Sequence, residues 1–327
     1  MRPVLALGYL SIVAIAASTA EQLAAQGPAA ATVSSVRAAD PARRWAPTRT
    51  PDGQPDIQGV WTNYDNTPFE TFDPSDTPHI YAGYPSGKST GPNAFPVDAS
   101  GRQLTRRRSL VTNPPNGRVP VQKWAEAKRD HDLARVNDSW EYQTPWERCI
   151  TRGVPGGMFP AAYNAGYRIL QTPGYVVILY EMIHEARIVP LDSRPHFPSQ
   201  VRLWNGDSRG RWEGHTLVVE VRNYNNKGNI ATNVATQRIR ALPQSEELHV
   251  IERFTPVDAN TINYEVTVHD PKVFNGPWTV ALPLTREDQH QLFEYACHEG
   301  NHGMRNQLSA GRAADKERVS EKESEQK

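Results

Sequence analysis

Several common signatures are missing from this chain of 327 residues. Net charge is absent, with 36 Lys plus Arg against 36 Asp plus Glu. That balance removes the electrostatic footprint of a nucleic-acid or anionic-membrane binder. No apolar run reaches the roughly 20 residues of a membrane span; the apolar, uncharged stretch Val4 to Ala17 falls short. Catalytic signatures are missing too. There is no Gly-x-Ser-x-Gly elbow, no serine triad assembles from chain order, and no zinc-signature spacing occurs, so neither a metal nor a cofactor is expected. Gly156-Gly157 lacks a following Lys-Ser/Thr and reads as a turn rather than a phosphate loop.

Cysteine is scarce, with only Cys149 and Cys297. An isolated pair in an exported chain reads as a disulfide. Closing so long a loop contributes at most roughly 5 kcal/mol in the chain-entropy model. Export is expected from residues 1–25, where Arg2, the apolar stretch and the small residues Ser18-Thr19-Ala20 or Leu23-Ala24-Ala25 have the order of a signal peptide. The mature protein is then expected to be soluble, periplasmic or extracellular, with no membrane association after cleavage.

Proline is abundant, 27 residues, and helix interiors reject it, so strands and long ordered loops are expected. Residues 26–44 read as a flexible leader. Residues 45–166 read as an irregular Pro-rich arm with a first strand at Gly59-Val60-Trp61 and one helix, Gln122 to Val136, with Trp124, Ala127, Leu133 and Val136 on one side. Tyr64, Phe69, Phe72, Tyr81, Tyr84 and Phe95 would anchor that arm by their rings. Arg106-Arg107-Arg108 reads as a solvated surface. Residues 167–305 carry regular strand signals: 167–171, 175–182, 186–191, 201–204, 210–212, 216–221, 248–254, 261–269, 278–284 and 291–297. Sequential hairpins without interleaved helices predict a mainly β, antiparallel up-and-down barrel, because closure removes exposed edges. Residues 306–327 read as a charged tail.

Ionisable residues interrupt the strand runs more often than a buried sheet needs. On 248–254 a period of two places Glu252 beside Leu248, Val250 and Phe254, where it needs a partner; Arg187, Arg209 and Arg211 are available. On 261–269 the polar set Asn263, Glu265, Thr267 and His269 faces either water or a polar lumen. Glu181-x-x-His184-x-x-Arg187 is either a structural ion-pair network or a ligand-contacting cluster. Beside Cys297, His298 and Glu299 supply a base with its orienting partner, or metal ligands completed by His184 or His302.

The segments Pro-Asp-Ile-Gln-Gly-Val-Trp (55–61), 173–181, Gly-Asp-Ser-Arg-Gly-Arg-Trp-Glu-Gly (206–214) and Cys-His-Glu-Gly-Asn (297–301) together resemble a family of secreted proteins of environmental bacteria. The resemblance spans about residues 50–305 and implies no catalytic role. More distantly the strand succession is similar to calycin barrels such as lipocalins, whose Gly-x-Trp packs across the barrel floor. The long arm departs from that pattern. The expected function is binding of a small polar or aromatic molecule, anionic where arginine holds it, in a barrel mouth. Ligand contacts are expected from Arg187, Arg209, Arg211, Trp212 and Glu252. The alternative is a metal-independent hydrolase, lyase or isomerase in which His184 or His298 moves a proton with help from Glu181 or Glu299. A third reading is an accessory subunit that meets a protein partner through residues 62–120.

Overall fold

The computed structural model describes residues 45–64, 67–73, 76, 107–161 and 163–325. Its frame is one sheet of ten strands curled on itself: β1 Gly59–Thr62, β2 Val111–Asn113, β3 Gly166–Thr172, β4 Tyr175–Tyr180, β5 Ala186–Pro190, β6 Asp207–Glu213, β7 Thr216–Arg222, β8 His249–Asp258, β9 Thr261–His269 and β10 Trp278–Arg286. The order around the sheet is β5-β4-β3-β1-β10-β9-β8-β7-β6. This is the expected up-and-down barrel. β1 seals it by pairing with β3 on one side and with the end of β10 on the other. β2 takes the remaining part of that β10 edge, across a bulge at Thr279/Val280.

Alternation decides which way each strand faces. Ile262, Tyr264, Val266 and Val268 of β9 are fully buried, opposite Leu284, Leu282, Val280 and Trp278 of β10. Asn263, Glu265, Thr267 and His269 take the outer face, which settles the two readings left open for that strand. A one-residue slip would exchange the two sets, so burial fixes the register. The inward face of this hairpin is therefore packed with apolar side chains. Fully burying each such side chain is worth about 1.5–3 kcal/mol.

One end is plugged by rings. Phe69 from the arm packs edge-on against Phe159, with centroids 4.9 Å apart, and Trp278 lies 5.5 Å from Phe274. Thus Phe69 anchors the arm as expected. Phe72 is exposed, while Tyr81, Tyr84, Phe95 and Arg106 lie outside the described residues. The arm is also pinned by charge: Arg238 donates to Glu70 Oε1 and Oε2 at 2.8 and 3.1 Å, and the Val119 amide donates to Glu70 Oε1 at 2.6 Å. Near the opposite end Trp61 is buried beneath the Arg286 guanidinium, 4.4 Å from the ring centroid. Gly59 lets that arginine in. Its φ is 139°, and a Cβ there would sit 2.3 Å from Arg286 Nη1.

Helix α1, Lys123–Ala134, forms where expected but turns a different face inward. Ala125 and Arg129 are buried, and Trp124 is half exposed with its indole donating to the Lys272 carbonyl. Two further elements differ from the sequence reading. Residues 201–204 form only a single bridge, Leu203 to Tyr224, and residues 291–297 are not a strand. Instead that last segment crosses the barrel's outside to the Cys149–Cys297 disulfide, which forms as expected. A second helix, α2 His302–Glu325, begins before the expected tail and is almost wholly exposed beyond Gly311. Among the described residues no helix is long and apolar enough to cross a membrane.

Candidate functional site at the barrel seam

Nine strands form the barrel wall, and every neighbouring pair is antiparallel. An odd number cannot close that way. The two closing strands, β5 and β6, must run parallel, and parallel neighbours need a long crossover. Residues 191–206 supply it, and no ladder joins β5 to β6. The seam is held by side chains instead. Val189 and Leu191 lean so close to Gly210 that a Cβ there would lie 2.7 and 2.6 Å from them. Arg187 Nε donates to Ser208 Oγ across the gap at 3.0 Å.

The crossover is tied down at Asp207, which is buried. Its carboxylate accepts from the Phe197 amide at 2.8 Å, meets His196 Nδ1 at 3.1 Å and pairs with Arg209. Between crossover and seam lies a groove of about 330 Å³, lined by Tyr175, Arg187, Ile188, Arg194, Phe197, Leu203 and Arg209 among others. Ile188 is 60% exposed and Phe197 49%. Guanidiniums stack on the rings: Arg209 lies 5.1 Å from the Phe197 centroid and Arg194 5.6 Å from that of Tyr175. The guanidinium edges are partly taken: Arg209 donates to the Pro195 and Ser208 carbonyls and pairs with Asp207, and Arg194 donates to the Tyr175 hydroxyl and pairs with Asp192.

Behind Arg187 the groove meets the charged cluster inside the barrel. Arg187 pairs with both oxygens of Glu252, and the Tyr264 hydroxyl donates to Glu252 Oε1 at 2.9 Å. All three are buried, so each charge depends on the other. Burial opposes the Arg187 charge, but Glu252 more than restores it, and its pKa stands well above the usual value. Burial also raises the hydroxyl pKa of Tyr180, Tyr224 and Tyr264. The hydroxyls of Tyr180 and Tyr224 have no well-placed hydrogen-bond partner among the described residues.

The expected site residues thus divide. Arg187 and Arg209 share the groove, and Glu252 stands directly behind. Arg211 is exposed and pairs with Glu213, and the Trp212 indole donates to Gln54 Oε1 at 2.9 Å; neither lines the groove. Glu181 is buried on the barrel wall, accepting from the Gly166 amide at 3.1 Å and meeting His290 Nε2 at 3.0 Å. His298 and Glu299 are exposed in the turn after Cys297. His184 follows Glu181 in a tight turn where Ile183 has φ 64°, and its side chain lies outside the described residues. An imidazole that Glu181 does meet is that of His290, just before residues 291–297, which the sequence reading did not single out. Arg194 and Phe197 were missed because a Pro-rich connection offers no periodicity to sort its faces.

These features define a class: a nearly closed antiparallel barrel whose closing strands frame a groove. No family model, curated protein or solved structure matches the chain.

Proposed function

We propose that the protein binds a small aromatic molecule carrying a carboxylate or comparable acceptor in the groove between β5 and β6. The observation that carries this reading is the stacking of Arg194 and Arg209 on Tyr175 and Phe197 beside the exposed Ile188, which combines apolar faces with planar donors in one concavity. A volume of about 330 Å³ suits one ring with a short substituent. The guanidiniums are already paired with Asp192 and Asp207, so the ligand's acceptor would share their remaining N–H groups rather than neutralise a free charge.

We further propose export to the periplasm or the cell exterior. The disulfide and the signal-like order of residues 1–25 support it.

Titration calorimetry with a panel of benzoates and indole carboxylates tests the binding reading. The expected outcome is binding that Phe197→Ala weakens by about tenfold, through lost apolar contact and stacking. Arg209→Ala should weaken it similarly. Binding that survives both substitutions unchanged, or no binding across the panel, contradicts the reading.

A further inference from the structure

Arg152 is 3% exposed, and among the described residues no carboxylate forms an ion pair with it. Its Nε and Nη2 atoms are buried without a hydrogen-bond partner among the described residues. The other deeply buried arginines are all met by carboxylates: Arg187 by Glu252, Arg238 by Glu70 and Arg129 by Asp130. Glu147, the one acid that acts on Arg152, is already engaged by the Thr144 amide at 2.8 Å and by Arg240 at 3.1 Å. Burial accordingly holds the Arg152 pKa below that of a free guanidinium. A buried, unanswered charge is costly enough to call for an occupant.

The chemistry of that occupant follows from the donors. Nε and Nη2 form one edge of the guanidinium fork, whose spacing matches two oxygens of one carboxylate or phosphate. The Arg152 guanidinium lies 5.8 Å from the Trp146 ring centroid, and Trp146 Nε1 is likewise buried without a partner. The Tyr163 ring packs beside Trp146, and its hydroxyl lies 3.4 Å from that of Tyr295. Trp146 and Tyr295, with Glu147, line a cleft of about 220 Å³ that runs along Cys297, and Arg152 meets it through Trp146 rather than lining it directly. The disulfide ties the segment carrying Trp146 and Arg152 to the segment carrying Tyr295.

We propose that Arg152 and Trp146 form a second binding site, for an oxyanion that presents two oxygens side by side, reached through the cleft beside the disulfide. It shares no residue with the seam groove. Inorganic phosphate and acetate, added to the full-length protein at constant ionic strength against chloride, are the probes. Either should raise the melting temperature saturably and move the Trp146 indole N–H resonance. Arg152→Gln should abolish the saturable response, and Trp146→Phe should weaken the anion about tenfold by removing one hydrogen bond to a charged group. A response to one probe alone identifies the preferred oxyanion and supports the site. An equal response in Arg152→Gln overturns the proposal. So does an unmoved Trp146 resonance in the wild-type protein, which needs no variant to fold.

Discussion

Glu252 is completely buried in the barrel wall, held by Arg187 and the Tyr264 hydroxyl. Glu252→Gln would leave Arg187 as a buried charge without a counter-ion, and the expected loss is about 3–5 kcal/mol in denaturant unfolding. The paired replacement Arg187→Met with Glu252→Leu should recover most of that loss, because two apolar groups need no partner. A double variant no more stable than Glu252→Gln would show that the pair's hydrogen bonds matter more than its charge. The tyrosines around the pair give a pH prediction. Burial pushes Tyr180 up to about 12, against the opposing charge of Arg187, and it also raises Tyr167, Tyr224 and Tyr264. Their folded pKa exceeds the unfolded value of about 10, so their contribution is complete below about pH 10 and is lost as pH rises toward 12. Absorbance at 295 nm should show these four ionising only as the fold is lost. Ionisation of all 12 tyrosines near pH 10 with the near-ultraviolet dichroism intact would contradict this. Of this cluster, Glu252 and its need for an arginine were legible, because a period of two set it among apolar neighbours. Tyr180, Tyr264 and Ser208 were not, since a hydroxyl in a strand carries no sign of whether it meets a charge.

The strands themselves were readable wherever alternation or a tight turn marked them. Thr261–His269 runs between the expected limits, and β3, β4, β7 and β10 differ by a few residues at most. Residues 291–297 misled, because Leu292, Phe293 and Tyr295 supply strand-type side chains but the preceding strand offers them no edge: β10 is already occupied by β9, β1 and β2. The face of α1 misled for a different reason. Its inward contact is Arg129, which donates to the Arg238 carbonyl, and a polar contact is invisible to hydrophobic periodicity. At this scale hydrogen exchange distinguishes the interior hairpin from the seam. Amides of β8 and β9, paired along their whole length, should be the most protected, while those on the free edges of β5 and β6 should exchange well before global unfolding. Equal protection across the seam would imply a ladder there. The disulfide links the segment carrying Trp146 and Arg152 to the residues that follow β10, over a sequence separation of 148. Cys149→Ser with Cys297→Ser is expected to lower stability by about 2–5 kcal/mol while leaving the sheet formed. Loss of the β dichroism would instead make the bridge a condition of folding.

For the molecule as a whole, the decisive fact is the strand count. An up-and-down barrel was legible because hairpins follow one another without helices between them. Its parity was not, because β1 lies far from the other staves in sequence and joins between β3 and β10. Adding that one strand makes the wall nine and forces β5 and β6 to meet in parallel. From this follow the crossover, the glycine contact at Gly210, and a groove on the side of the cylinder. Amide chemical-shift mapping with a bound aromatic carboxylate tests that placement most directly. The expected result is a set of shifts confined to residues 175, 186–190 and 194–209. Shifts centred on the barrel ends, or none at saturating ligand, would contradict the seam as the binding site.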